Sequence, residues 1–395
     1  MKDNYYFDNA ATTWPKPEPV YQFMDSFFRS HGVNPGRSGH VLAVEAEQMI
    51  VETRRLLAQF FNHQGDPDRV VFTQNATDSL NMALQGLLTD GDHVITSQLE
   101  HNAVLRTCSH LQRDRGLSVS LIEPNDNGCI SCESIEAAIN KATRAIVINH
   151  ASNVTGAVQD IEAIAALAKA HKLIFIVDSA QTAGVMPVDM SCGIDVLTFT
   201  GHKGLFGPMG IGGMVVGESV ELMPTRFGGT GVDSASVFQP DSYPYRLESG
   251  TVSIPGIAGL NAAQKWIASL TPNDDHRVAC QQAVEAIHVA EMQHSERIWK
   301  HLQSIDSVSM LGNLADGPHV ATLSFTVAGM PAQQFAEMMD ADYHICCRAG
   351  LHCAPQAHKA YATDSGGGAV RLSPGYFTEP EDVNHLLTAI DELCS

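Results

Sequence analysis

Two side chains of opposite charge follow short apolar segments of this chain. Lys203 comes after the apolar run 196–199, and Asp178 ends the apolar run 173–177. Short continuous apolar runs are typical of strands buried in a parallel sheet. Because ligands bind beyond the carboxyl ends of such strands, the amine and the carboxylate are expected to meet at one site. A buried amine at such a site can act as a nucleophile toward a carbonyl group.

This pair of side chains suits one cofactor in particular, pyridoxal phosphate (PLP). A lysine forms a Schiff base with the PLP aldehyde, and an acid keeps the ring nitrogen protonated. The other eight lysines lack this setting, since they lie near the N-terminus, in polar helical stretches or, for Lys359, in a loop. A solvated surface amine remains the alternative for any lysine.

Further polar groups follow the ends of other predicted strands. Ala76 or Thr77 begins a helix after strand 70–73, and the free N–H groups of such a helix start can bind a phosphate dianion. An ordinary helix cap would have the same sequence. His101 follows strand 93–97 and can lie flat on a pyridine ring. Asn153 and Gln181 follow two more strands and can bind the ring hydroxyl, so five strand ends carry groups that PLP requires.

A second cluster of reactive residues lies between positions 346 and 355. Cys353 lies near Arg348 and His352, whose positive charges would favour its thiolate and make the sulfur a nucleophile. A structural cysteine in a loop is the equally weighted alternative. Arg371, on a later strand, can clamp a substrate carboxylate in bidentate fashion.

The elements that position these residues predict an α/β fold with two domains. Helices alternate with seven short strands between 16 and 260, which predicts a large domain with a mainly parallel seven-stranded sheet covered by helices. A smaller α+β domain comprises 1–15 and 261–395, with the Cys353 loop and Arg371. We expect the glycine-rich stretch within 360–368 to be a mobile loop.

Composition excludes several classes of protein. A net charge of −20 over 395 residues argues against binding nucleic acid, and no run approaches the ~18 apolar residues of a membrane helix. The start of the chain lacks a secretion signal, so we expect a cytoplasmic protein with reduced thiols. Cys129 and Cys132 have C-x-x-C spacing but no second ligand pair, which gives a metal or redox site little support. We expect no metal.

Taken together, the motifs resemble those of class V, fold-type I PLP enzymes, and within them the cysteine desulfurases. The Arg-x-Gly-x-His-Cys form resembles the group that includes selenocysteine lyase-like enzymes. The matching motifs run nearly end to end: Tyr6–Thr13, Asn75–Thr77, Glu100–His101, Ser152–Asn153, Asp178–Gln181, Thr200–Lys203, Glu248–Thr251, Arg348–Cys353 and Arg371.

The resemblance implies a role for each matching residue. Lys203, Asp178 and His101 would hold the cofactor ring, and Asn153 and Gln181 its hydroxyl or the substrate. The phosphate would be bound by Ala76, Thr77, Thr200 and His202, with Thr251 reaching it from the other subunit of a homodimer. Arg348 and Arg371 would bind the substrate, and Cys353 would accept its sulfur. Thr200 stands where Ser is commoner, and Cys346-Cys347 are unusual neighbours of the loop.

The resemblance implies conversion of L-cysteine to L-alanine, with a persulfide on Cys353 that passes to an acceptor protein. Selenocysteine lyase and cysteine-sulfinate desulfinase are rival activities on the same scaffold. Other rivals are a class V aminotransferase or lyase, in which Cys353 is incidental, and a non-enzymatic sulfur-handling scaffold.

Overall fold

The computed structural model describes residues 4–36 and 39–394 and contains two domains around separate cores. Its larger sheet has seven strands in the order β2-β8-β7-β6-β5-β3-β4. Their bounds are β2 (Val70–Thr73), β3 (His93–Ser97), β4 (Ser118–Ile122), β5 (Thr143–Asn149), β6 (Ile174–Asp178), β7 (Val196–Thr200) and β8 (Gly212–Val216). Pairing is parallel from β4 to β7, whereas β8 runs antiparallel to both β2 and β7. The predicted α/β fold with a mainly parallel seven-stranded sheet is therefore confirmed.

Successive residues of the central strands point into two different cores. In β5, Ile146 and Ile148 pack into one core, while Ala145 and Val147 pack into the other. Because strand side chains alternate between faces, a strand covered on both sides must be apolar throughout. This explains the continuous apolar runs in the sequence.

Helices cover both faces of this sheet. The first core contains residues of α2 (Val41–Phe60), α5 (Cys132–Ala138), α6 (Ile161–Ala170) and α7 (Ile254–Ser269). The second contains residues of α3 (Ala76–Leu87) and α4 (Asn102–Arg115). Helix α1 (Glu18–His31) packs on α7. No helix in the described parts of the chain is long and apolar enough to span a bilayer.

The smaller domain is built on an antiparallel sheet of order β12-β13-β10-β9. Its elements are α8 (His276–Gln303), β9 (Val308–Leu311), β10 (Leu323–Val327), α9 (Ala332–Tyr343), β11 (Ile345–Cys346), β12 (Arg348–Gly350), α10 (Pro355–Ala360), β13 (Ala369–Leu372) and α11 (Pro380–Cys394). Strand β1 (Tyr5–Tyr6) pairs in parallel with β11. The division of the chain at 260 falls within helix α7 and stays a prediction.

Candidate active site

A cavity of about 300 Å³ opens where the carboxyl ends of the large-sheet strands face the small domain. Its lining contains all but one of the predicted site residues: Ala76, Thr77, His101, Asn153, Asp178, Gln181, Thr200, His202, Lys203, Arg348, Cys353 and Arg371. The exception is Thr251, which is exposed and lies outside this cavity. A larger cavity of about 600 Å³ elsewhere contains none of these residues, so chemistry and not size identifies the site.

Asp178 is the last residue of β6, and Lys203 follows the neighbouring strand β7, in which Thr198 pairs with Asp178. Burial lowers the pKa of the Lys203 amine to about 8, while the Asp178 carboxylate opposes that shift. Burial also raises the pKa of Asp178. The hydrogen bond that Asp178 Oδ1 accepts from the Ala180 N–H at 2.9 Å lowers that pKa by a smaller amount. A buried amine with a lowered pKa is partly unprotonated near neutral pH, as a nucleophile or base requires.

His101 presents a neutral ring to the cavity. Its Nδ1 accepts a hydrogen bond from the Ala103 N–H at 3.0 Å and so caps helix α4. Burial, together with the charge of Lys203, lowers the pKa of His101 to about 4. An uncharged imidazole can stack on an aromatic ring without adding positive charge beside it.

The start of helix α3 and the end of β7 line the same cavity. Asn75 caps α3 by accepting from the Asp78 N–H at 3.0 Å, so the first N–H groups of the helix face outward. Thr200 Oγ1 and His202 Nδ1 are buried there with no hydrogen-bond partner among the described residues. Such unpaired groups are costly unless a ligand satisfies them. A phosphate would do so.

The opposite end of the cavity holds Arg371 in a fixed orientation. Its Nη2 lies 2.7 Å from Asp8 Oδ1, and its Nη1 donates to the Asn153 carbonyl at 3.0 Å. The Nε of Arg371 and the Oδ1 of Asn153 are buried without partners in the described structure. The Nε–H of Arg371 and the amide oxygen of Asn153 are therefore the groups at this end of the site that a substrate carboxylate and ammonium group could satisfy.

Cys353 is exposed at the cavity mouth on a tightly held loop between β12 and α10. Its backbone is left-handed, as is that of His352, with φ of +57° and +49°. The Cys353 carbonyl accepts from the Asn102 N–H at 2.7 Å, at the start of the helix that His101 caps. Left-handed conformations in non-glycine residues cost energy and cluster at functional sites.

One part of the sequence interpretation of this loop is wrong. His352 was expected to carry positive charge beside the thiol, but burial lowers its pKa to about 2. Its Nδ1 lies 3.2 Å from His358 Nε2, within a buried histidine pair. His352 is therefore neutral. Of the two cations expected near Cys353, Arg348 remains, on β12, and it lines the same cavity.

Sequence reasoning missed the N-terminal residues that hold the lysine in place. Thr12 Oγ1 and the Thr13 N–H donate to the His202 carbonyl at 3.0 and 3.1 Å, and Lys16 Nζ donates to the same oxygen at 2.5 Å. These contacts join positions almost 200 residues apart, so no local signal marks them. Asn149 was also missed, although its position at the end of β5 beside Asp178 could have indicated it.

The lysine, the acid, the flat neutral ring and the unpaired phosphate donors fit PLP. Together with the helix-covered sheet, they define a PLP-dependent enzyme of fold type I. The model of the family Aminotransferase class-V matches residues 5–386. The chain therefore belongs to the aminotransferase class-V family.

Individual relatives carry the name cysteine desulfurase. A "Probable cysteine desulfurase" of Methanothermobacter thermautotrophicus is 31% identical over 100% of this chain and 95% of its own length. "Cysteine desulfurase IscS" of Serratia proteamaculans is 30% identical over 99% and 92%. The apo structure of a cysteine desulfurase from Thermococcus onnurineus superposes with a TM-score of 0.89 at 30% identity, covering 99% of this chain and 95% of that one.

Proposed function

We propose that this protein is a PLP-dependent cysteine desulfurase that converts L-cysteine to L-alanine and retains the sulfur on Cys353. The observation that carries the proposal is that Cys353, Lys203 and Arg371 line one cavity. An amine, a carboxylate-binding guanidinium and a thiol are the groups needed to hold an amino acid and remove its sulfur. The named relatives support the same substrate.

The residues present would hold the cofactor as follows. The α3 start, Thr200 and His202 would take the phosphate, Asp178 the ring nitrogen, and His101 the ring face. When bound, PLP supplies an electron sink for the bond that breaks at the substrate Cα. The buried Asp178 carboxylate sustains that sink by keeping the ring nitrogen protonated.

Each remaining step is assigned to a residue of the chain. Arg371 holds the substrate carboxylate, and the Lys203 amine takes the Cα proton. Cys353 Sγ attacks the substrate sulfur, so an S–S bond forms and the C–S bond breaks. The electron pair of the C–S bond stays with Cβ, which takes up a proton, and Cα regains the proton held by Lys203, so that alanine forms. The Cys353 persulfide then passes its sulfur to an acceptor.

The pH dependence of Lys203 can be measured without any turnover. Because its pKa is lowered to about 8, the amine is protonated below that pH and a free base above it. In the cofactor-free protein, acylation of Lys203 by acetic anhydride should rise through a midpoint near pH 8, as followed by peptide mass spectrometry. In the urea-unfolded protein the same lysine should react only at higher pH, since an ordinary lysine amine has a pKa of about 10.4. A midpoint that is the same in the folded and the unfolded protein would contradict the assignment.

We propose further that the enzyme is a homodimer in which Thr251 of each subunit reaches the phosphate site of the other. Several large apolar side chains are exposed on the chain, including Val41, Leu42, Phe227, Val237 and Phe238. Exposed apolar side chains mark protein–protein contacts where they are contiguous, and Val41–Leu42 and Val237–Phe238 are adjacent pairs. Thr251 lies outside its own chain's cavity, which fits a role in a partner's site.

Substitution of one exposed apolar residue tests the dimer. Phe238→Asp should place two like charges in the interface and convert the protein to monomers with weakened PLP retention. Light scattering gives the mass, and equilibrium dialysis gives the retention. Exposed Val289→Asp, on α8, is a matched control and should leave both unchanged. A monomeric wild type would refute the dimer.

The proposal also covers the location of the enzyme, its sulfur acceptor and its alternative substrate. We place the enzyme in the cytoplasm, where its nine free cysteines would stay reduced. The sulfur acceptor is proposed as a protein that reaches the exposed Cys353 at the cavity mouth. Selenocysteine is the nearest alternative substrate, and rates on the two amino acids distinguish them.

A further inference from the structure

The N-terminal segment fixes Asp8 against the strand that carries Arg371. Asp8 forms a parallel bridge with Ser373, just beyond β13. The Ser373 N–H donates to the Phe7 carbonyl at 2.7 Å, and the Asn9 N–H donates to the Ser373 carbonyl at 3.2 Å. Thr12 and Thr13, a few residues later, hold the backbone of His202 in the large domain. Asp8 is thus held from both sides within the site.

The side chain of Asp8 restrains the guanidinium of Arg371. Arg371 is 3% exposed and Asp8 is 20% exposed, and the two are joined by the 2.7 Å contact between Nη2 and Oδ1. The Asn153 carbonyl holds Nη1. Two of the three guanidinium nitrogens therefore have protein partners, whereas Nε lies in the buried wall without one. A charge-assisted contact on one side fixes which edge of the group faces the cavity.

The negative charge of Asp8 also acts on the cations Arg371 and Lys203 of the site. Arg371 and Arg348 both lower the pKa of Lys203, while Asp178 and Asp8 both raise it. A guanidinium as buried as that of Arg371 is unfavourable without a counter-ion. Asp8 supplies that counter-ion in the free enzyme while remaining partly hydrated.

We infer that Asp8 is a positioning residue, which presets Arg371 so that its unpartnered Nε–H meets the α-carboxylate of an amino-acid substrate. The inference rests on the proposed function, because it takes Arg371 as the carboxylate-binding group. Asp8 itself touches neither the reacting sulfur nor Cα in this account. Its effect should therefore fall on substrate binding more than on the bond-breaking steps, because Asp8 is the weakest of the charges that shift the pKa of Lys203.

The test measures L-cysteine kinetics of the PLP-loaded enzyme with Asp8→Ala and Asp8→Asn. Asp8→Ala should raise KM about tenfold or more, with kcat changed less than about threefold. Asp8→Asn keeps a hydrogen-bond acceptor but loses the charge, so its KM should lie between those of the wild type and Asp8→Ala. If Asp8→Ala does not fold, Asp8→Asn carries the test, with a KM at least about twofold above wild type. An unchanged KM in the folded variants overturns the inference.

A double-mutant cycle tests whether Asp8 acts through Arg371. In an Arg371→Ala background, Asp8→Ala should add less than about a twofold change in KM, because its target is gone. A full tenfold loss in that background would overturn the inference.

Ligand binding separates failure of this inference from failure of the proposed function. L-alanine carries the same carboxylate without sulfur, and cysteamine carries the amine and thiol without a carboxylate. The absorbance change on adding each ligand gives its Kd. Asp8→Ala should raise the Kd for L-alanine about tenfold and leave the Kd for cysteamine unaltered. This pattern supports the role of Asp8 even if the wild type releases no alanine from cysteine. Equal weakening of both ligands overturns it.

Discussion

Replacing Lys203 with Ala should abolish alanine formation from L-cysteine, with a loss of about 10³-fold or more in kcat. The variant loses the amine that bonds the cofactor and handles the Cα proton. It should also lose the borohydride-stable cofactor label that the wild type carries. Alanine release and mass spectrometry of the reduced protein measure the two effects.

Lys359→Ala is the matched control for this prediction. Lys359 lies on α10, next to the Cys353 loop, but is exposed and does not line the cavity. Its removal should leave labelling and turnover at wild-type levels. Label retained by the Lys203→Ala protein would mean that another lysine, such as the half-buried Lys16, holds the cofactor.

Cys353→Ala should retain the cofactor yet lose alanine formation from L-cysteine by about 10³-fold or more, because no thiol accepts the sulfur. The change removes only the side chain of an exposed residue, so the visible absorbance of bound PLP should match that of the wild type. Alanine release under single-turnover and steady-state conditions gives the measurement.

Cys132→Ala is the control cysteine variant, since Cys132 lies outside the cavity and burial raises the pKa of its thiol. It should turn over like the wild type. The rivals also separate here. Cysteine sulfinate chemistry need not use Cys353 and would survive Cys353→Ala, whereas an aminotransferase would pass the amino group to an oxo acid. Normal desulfuration by Cys353→Ala would show that the residue was misassigned.

The large sheet could be predicted because its buried strands appear in the sequence as short, continuous apolar runs. Buried strands such as 196–200 must be apolar on both faces, and the polar residues that follow them must lie at one edge. The positions of Lys203, Asp178 and His101 at this edge of the sheet could therefore be predicted from the sequence alone. Helix α7 is harder to predict, because it is apolar nearly all round and so lacks the amphipathic period of a surface helix.

Contacts distant in sequence could not be predicted in the same way. The ion pair between Asp8 and Arg371 and the hydrogen bond from the Thr13 N–H to the His202 carbonyl depend on how two domains meet. The neutral state of His352 follows from its burial beside His358, which no local pattern reveals. Thr251 is a different case, since its role depends on a second subunit and stays a prediction.

The most direct test of the central claim is a single-turnover incubation of the PLP-loaded enzyme with stoichiometric L-cysteine and no reductant. One equivalent of alanine should form, and the peptide containing Cys353 should gain the mass of one sulfur atom. Alanine without added sulfur on Cys353, or no alanine at all, would contradict the account.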